Sequence, residues 1–321
     1  GHTLGARSEV IALRPAPVTM FDQGFAGSSG GIATHFNADK VSLPPEYTGY
    51  YTERIMYMPF FSNPLNDFKS SYPEVANKKV TLKQDFPRQD IDLPEKRFTF
   101  ACFNTAYKYS EKVMDSWANL LEEVPNSTLW LLRWPDMEGN IKKESRKRGL
   151  REDAIVFTDV LPLRTHLSWK AANTDLFLDT FAFNGHGTVS QMLWSGVPSL
   201  TMPLERIGQR IGAAVVMASA ANGTLVARNE EDYVDIAWAL AQDGARHHLE
   251  GIKASLQLER LRVPLFDIAR YVRDYERLLL IMWDAEHSNQ WLQQCKKDVK
   301  QSSTSCLPRE SHYHSIVSPS Q

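Results

Sequence analysis

Three cysteines, Cys102, Cys295 and Cys306, are all that 321 residues contain, too few and too scattered for a disulfide framework or a zinc site. No run of about 18 apolar residues occurs, so no transmembrane helix is expected. The opening residues Gly1-His2-Thr3-Leu4-Gly5 lack the basic patch and apolar stretch of a secretory signal. They also lack an initiator methionine, which leads us to expect a longer parent protein. An excess of one charge is missing too: 36 Lys and Arg stand against 38 Asp and Glu, a formal net charge of −2. That balance gives no electrostatic argument for a nucleic acid or an anionic membrane as partner. A P-loop, a dinucleotide fingerprint and an internal repeat are likewise absent. These absences lead us to expect a reducing compartment, cytoplasmic or nuclear, with no nucleic-acid and no membrane partner.

What is present is a regular alternation from about residue 97 onward. Strands are expected over 97–103, 127–132, 154–157, 174–180 and 199–202, and helices over 111–123, 138–149, 164–172, 188–195 and 206–220. Each strand is mostly apolar along its length, which indicates a parallel sheet covered on both faces: a doubly wound α/β domain. Residues 223–227 promise one more strand, and helices are expected over 230–242, 245–259 and 267–285. Residues 1–65 offer strand material at Val10–Pro17 and Arg54–Met58 around a glycine-rich loop, Gly24 to Gly31. So short a segment buries too little to stand alone, and reads as an ornament or as the trailing part of a larger lobe. Residues 66–96 read as a polar linker, the domain proper as 97–290, and 291–321 as a disordered tail, since Lys297–Ser305 has few apolar residues.

The most informative stretch is 175–203, a buried strand, a polar turn, a helix and a second strand. The turn Asn184-Gly185-His186-Gly187-Thr188 opens the helix, where unpaired amides and the positive end of the helix dipole favour an anion such as phosphate. Ligands of open parallel sheets sit at the carboxyl ends of the strands. Lys108 follows the strand ending near Phe103 on that edge, where an ammonium can neutralise a diphosphate leaving group. His166 opens the helix after the 154–157 strand on the same edge, and either packs on a base or ribose or caps its helix. The 24–31 loop is either an anion-binding nest or a plain turn. Asp90-Ile91-Asp92 and His247-His248 lack the converging partners of a metal site, so no metal is expected. The mixed-sign run Lys142–Arg148 reads as a solvated helix face.

Several motifs in fixed order make the chain resemble the catalytic region of the protein O-GlcNAc transferase family, to which the SPINDLY-type O-fucosyltransferases are related. They are Ala12-Leu13-Arg14-Pro15-Ala16-Pro17, Val124-Pro125-Asn126-Ser127, Leu129-Trp130-Leu131-Leu132-Arg133, Leu178-Asp179-Thr180 with Asn184-Gly185-His186, Gly196-Val197-Pro198 and Pro264-Leu265-Phe266. The likeness covers roughly residues 1–290. It implies a GT-B glycosyltransferase, inverting and metal-independent, whose C-terminal lobe binds a nucleotide-sugar such as UDP-GlcNAc and passes the sugar to Ser/Thr hydroxyls of intracellular proteins, with no cofactor beyond the donor. It also implies that part of the N-terminal lobe and a set of tetratricopeptide repeats precede this chain. By residue-to-residue match, Lys108 falls on the lysine at the donor diphosphate, His166 on the histidine beside the nucleoside, His186 and Thr188 on the phosphate loop and helix start, and Gly24 on a loop near the sugar. Asn184 and Gly185 keep the family pattern. Five positions depart from it: Thr105 replaces a glutamine, Leu163 a lysine, Trp169 an arginine, Gly187 a threonine, and Gln191 the acidic residue that meets the ribose. Three readings stay open: a UDP-GlcNAc-dependent protein O-glycosyltransferase, a GDP-fucose-dependent one, and a catalytically silent binding or scaffold module. A GT-B enzyme for small-molecule or lipid acceptors fits the motifs less well.

Overall fold

The computed structural model describes residues 5, 7–22, 26–61, 67–73, 86–135, 137–160, 162–221 and 223–302. Its main body is a five-stranded parallel sheet built from β4 (Phe98–Cys102), β5 (Ser127–Leu132), β6 (Ile155–Thr158), β7 (Leu176–Leu178) and β8 (Ser199–Leu200), in the order β6-β5-β4-β7-β8. All four ladders are parallel, with Phe100 opposite Leu129 on one side and Leu176 on the other. β4, β5 and β7 are buried along their whole length, as a sheet covered on both faces requires. The chain starts in the middle at β4, winds outward to β6, then crosses back to lay β7 on the other side of β4. That reversal makes the gap above β4 and β7 the switch point where ligands of such sheets bind.

The first covering helix is amphipathic. α3 (Glu111–Glu123) starts at Ser110, whose hydroxyl accepts the Val113 amide, and turns Val113, Met114, Trp117, Leu120 and Leu121 inward. The others are α4 (Glu138–Lys147), α5 (Leu163–Asn173), α6 (Gly187–Trp194), α7 (Ile211–Met217), α8 (Glu230–Ala241), α9 (Arg246–Glu259) and α10 (Ile268–Ser302). Trp117, Trp130 and Trp194 are fully buried in one contiguous core. α1 (Ser8–Ala12) and α2 (Phe68–Ser71) are single turns near the start of the chain.

A second, three-stranded parallel sheet holds β1 (Met20–Phe21), β2 (His35–Ala38) and β3 (Arg54–Tyr57) in that order. The C-terminal helix α10 returns to it: Leu278 and Met282 bury with Met58 against Val18, Met20, Met56, Tyr271 and Tyr275. Residues 66–96 do more than connect. Phe68 joins Trp194 and Phe266 at ring separations of 5.8 and 5.6 Å, and buried Arg88 donates to the carbonyls of Pro94 and Arg97.

Three expected elements differ. The Val10–Pro17 strand is instead the turn of helix Ser8–Ala12, which ends before Pro15 with Arg14 at φ +50°; among the described residues it has no neighbouring strand to complete a ladder. The 223–227 strand shrinks to one parallel bridge, Thr201 with Val226. The last helix runs past 290 to Ser302, since neither glycine nor proline interrupts 268–302. Residues 303–321 of the expected tail lie outside the described residues. Among the described residues, no helix is long and apolar enough to cross a membrane.

Candidate functional site

The carboxyl end of β7 is organised by a carboxylate. Asp179 is completely buried. Its Oδ1 accepts the amides of Gly185 (2.7 Å) and Thr180 (2.9 Å) and the Asn104 Nδ2 donor (2.9 Å); its Oδ2 accepts the Thr201 hydroxyl (2.8 Å). Burial raises its pKa to about 6, against the pull of these four donors, so at neutral pH the carboxylate is charged and saturated. Asp179 thereby ties the end of β4 (Asn104), the end of β8 (Thr201) and the 180–185 turn into one rigid unit.

Asn184 completes that unit. Its Nδ2 donates to the Thr180 carbonyl (2.8 Å) and its Oδ1 accepts the Gly212 amide (3.1 Å). Two glycines make the packing possible. A Cβ on Gly185 would lie 2.5 Å from Asn104 Oδ1, and one on Gly212 would lie 2.4 Å from Asp179 Oδ2.

On this frame Lys108 and His186 face one another across the β4/β7 switch point. Lys108, in the 3-10 turn Ala106–Lys108 that follows Thr105, donates from Nζ to the Asn184 carbonyl (2.8 Å) and lies 4.8 Å from the Phe183 ring centre. Burial lowers its pKa and the Asp179 charge opposes that. His186 stacks on Phe183 at 4.7 Å, and its Nε2 lies 3.2 Å from the Gly208 carbonyl. A carbonyl only accepts, so Nε2 carries the proton and Nδ1 is left as an acceptor. Burial first, then Lys108, push this imidazole down to about 4, although the Gly208 carbonyl works the other way. It is neutral at pH 7.

Helix α6 begins immediately after His186, with no side chain capping it. Among the described residues the first amides of Gly187 and Thr188 have no hydrogen-bond partner, and Lys108 is tied to the turn just before them through the Asn184 carbonyl, an arrangement suited to an anion. Gln191, one turn further on, is half-buried. The expected residues Lys108, Thr105, Asn184, Gly185, His186, Gly187 and Thr188 are therefore brought together. Within the group, the Asn184 side chain and the Gly185 amide are spent on the frame. Gly24 lies outside the described residues.

His166 sits on the other flank of β4. It is 3% exposed and its Nε2 has no hydrogen-bond partner among the described residues. Burial, then Lys170, lower it to about 3. It lines a pocket of ≈ 190 Å³ walled by Trp130, Phe157 and Trp169, with the Arg133–Asp159 pair and Asp90 and Asp92 at its margin.

The remaining sequence candidates resolve differently. In the 24–31 loop, the Ser29 amide and the Ser28 hydroxyl are turned to the buried Glu53 carboxylate, so an internal anion already fills any nest formed there. The Lys142–Arg148 run pairs with Glu138, Glu144 and Asp115, a solvated face as read. His247 and His248 are exposed, and no group of three or more metal-ligating side chains occurs among the described residues. Sequence reasoning missed Asp179 and Asn104 as organisers. The available signal was a charged residue closing the wholly apolar strand Leu176-Phe177-Leu178.

Residues 1–87 and 69–275 match glycosyl transferase family 41. The chain belongs to this family. Among its relatives, the probable UDP-N-acetylglucosamine–peptide N-acetylglucosaminyltransferase SEC of Arabidopsis thaliana is 35% identical over 302 residues, spanning 92% of this chain and 30% of that protein. The UDP-N-acetylglucosamine–peptide N-acetylglucosaminyltransferase of Caenorhabditis elegans is 38% identical over 389 residues, covering 88% of this chain and 33% of that protein. This chain thus spans about a third of the length of these family 41 relatives. A mutant Thermobaculum terrenum O-GlcNAc transferase superposes with a TM-score of 0.69 at 24% identity, over 87% of this chain and 51% of that one. That likeness establishes the GT-B fold of the chain.

Proposed function

We propose that this family 41 chain is the nucleotide-sugar-binding part of a protein O-glycosyltransferase that moves a sugar, GlcNAc from UDP-GlcNAc, onto Ser/Thr hydroxyls of intracellular proteins. The observation that carries the reading is the Lys108 ammonium held on the Asn184 carbonyl, in the turn that leads into the uncapped start of α6 at the β4/β7 switch point. The names of the SEC and C. elegans relatives support the donor and the peptide acceptor.

In the proposed reaction the acceptor hydroxyl oxygen bonds to the anomeric carbon, its proton passing to solvent or to the departing diphosphate, as the bond from that carbon to the diphosphate oxygen breaks, with inversion. The electron pair leaves on the diphosphate. Lys108 and the α6 amides stabilise that growing charge, a role worth about 10²-fold or more in rate for such preorganised donors. A fixed ammonium and helix dipole supply positive charge where other enzymes use a metal ion, so the proposal includes no metal and no cofactor. Neutral His186 offers Nδ1 as an acceptor, and His166 takes the nucleoside side. An intracellular setting, cytoplasmic or nuclear, accords with three cysteines, of which Cys102 is a buried free thiol.

A second reading, a silent scaffold, draws on Leu163, Trp169 and Gln191 standing where the resemblance calls for two cations and a carboxylate. Calorimetric titration of the chain with UDP, UDP-GlcNAc and GDP-fucose separates the readings. UDP and UDP-GlcNAc are expected to bind, with GDP-fucose at least about tenfold weaker. Preference for GDP-fucose transfers the site to fucosyl donors, and no binding of any of the three leaves the scaffold.

A further inference from the structure

Lys170 is a buried cation without a pairing carboxylate among the described residues. It lies one helical turn after His166 on α5 and is 3% exposed. Among the described residues no carboxylate or hydrogen-bond acceptor meets its ammonium; its partner is the Phe103 ring, 4.3 Å away. Lysine is almost never fully buried without a partner, because an unpaired ion loses its hydration with nothing to replace it. A contact with an aromatic face recovers only part of that loss.

Its surroundings say what would complete it. Long helical side chains lean toward the helix N-terminus, which carries the ammonium toward the ligand edge of the sheet. The ring it touches, Phe103, packs on His166 at 6.0 Å and on Trp130 at 4.9 Å. Both line the aromatic-walled pocket of ≈ 190 Å³, and His166 Nε2 has no hydrogen-bond partner among the described residues. Flat aromatic walls suit a planar heterocycle, and the ammonium donates without accepting.

We propose that Lys170 reads the nucleobase of the donor, donating to a keto oxygen and so selecting a keto base over an amino base. This rests on the nucleotide-sugar reading above. Uracil presents an acceptor at the position where cytosine presents an amino donor. A cytosine amino group set against the ammonium would leave two buried donors facing one another, and sites built to hydrogen-bond a substrate group discriminate strongly against an analogue that cannot. The departures nearby fit: Leu163 removes the lysine that the family resemblance puts near the base, Trp169 removes an arginine of the helix, and Lys170 supplies a cation on that same helix.

The test is calorimetry with UDP and CDP at about pH 6, where the ammonium, which burial lowers to about 7, is charged. The wild-type chain, Lys170→Met and Lys170→Gln are compared, together with their melting temperatures. Wild type is expected to prefer UDP by at least about tenfold. Lys170→Met is expected to weaken UDP by about tenfold while leaving CDP within about threefold, and to melt no lower than wild type, since an unpaired buried charge has gone. Lys170→Gln, which keeps an N–H donor, is expected to keep part of the preference and carries the comparison should the methionine variant not fold. A Met variant with an unchanged UDP/CDP ratio, or an equal loss for both nucleotides, overturns the assignment while the donor reading stands. A wild type that binds neither nucleotide overturns both.

Discussion

The ammonium of Lys108 donates to the carbonyl oxygen of Asn184 at 2.8 Å, and the Asp179 carboxylate beneath is saturated by four donors of its own. The cation is thus held in place by a neutral group, so its charge remains available to a ligand. A carboxylate partner would have fixed it equally well and cancelled it.

Lys108→Met follows directly. Each hydrogen bond to a charged group is worth about 1.5–3 kcal/mol, so UDP affinity is expected to fall by about 10- to 100-fold. The melting temperature of the free chain should move by only about 1–3 °C, because the lysine contributes one bond to a carbonyl and one ring contact there and its removal relieves a buried charge. An unchanged UDP affinity by calorimetry removes Lys108 from the diphosphate site.

The frame predicts a contrast among glycines. Gly185→Ala and Gly212→Ala each drive a methyl group to within 2.5 and 2.4 Å of polar oxygens, and are expected to lose about 1–3 kcal/mol in urea denaturation. Gly251→Ala, in α9 with nothing within 4 Å of its added Cβ, should gain about 0.5–1 kcal/mol from helix propensity alone. Equal effects at all three positions would show that the Asp179–Asn104 packing is loose.

Much of this arrangement was legible in the sequence, and the reason is local. Leu129-Trp130-Leu131-Leu132 and Leu176-Phe177-Leu178 are apolar on both faces, which only a covered parallel strand tolerates, and the 184–188 turn carries its helix-start chemistry in consecutive residues. The Asp179 network was not legible, because its donors Asn104, Thr180, Gly185 and Thr201 are separated by up to 97 positions and meet only through strand order. Val10–Pro17 misled for the opposite reason: its composition suits a strand, but no strand among the described residues pairs with it. Lys170 carried no signal either, since a lysine in an amphipathic helix looks solvated until the packing buries it.

The buried histidines fix the sign of the acid response. His186 sits at about 4 in the folded chain against an ordinary value near 6.5, so below pH 6.5 the unfolded chain takes up a proton that the folded chain refuses. Stability present above that pH is lost as the pH falls toward 4, on the order of 3 kcal/mol for this residue. His166, at about 3, acts in the same direction. Asp179, raised to about 6, opposes them, since the folded form binds its proton first as the pH drops. His186→Gln keeps a donor for the Gly208 carbonyl without a titrating ring. Urea denaturation between pH 7 and pH 4.5 should therefore fall less steeply in this variant, and superimposable profiles would place the histidine outside the acid response.

Gln191 allows a test in the direction of gain. It is half-buried on α6, one turn beyond the open amides, and its side chain makes no hydrogen bond among the described residues. A neutral amide accepts a ribose hydroxyl less strongly than a carboxylate, whose charged hydrogen bonds are worth about twice as much. Gln191→Glu has the same shape and is expected to tighten UDP by about fivefold, the equivalent of roughly 1 kcal/mol. The added charge also stands near the diphosphate, where Coulomb repulsion works against binding. The two effects separate with a ligand that lacks the ribose hydroxyls: 2′,3′-dideoxy-UDP should gain nothing, or lose slightly, from the same substitution. An equal gain for both ligands would mean that the carboxylate acts through the helix rather than on the ribose.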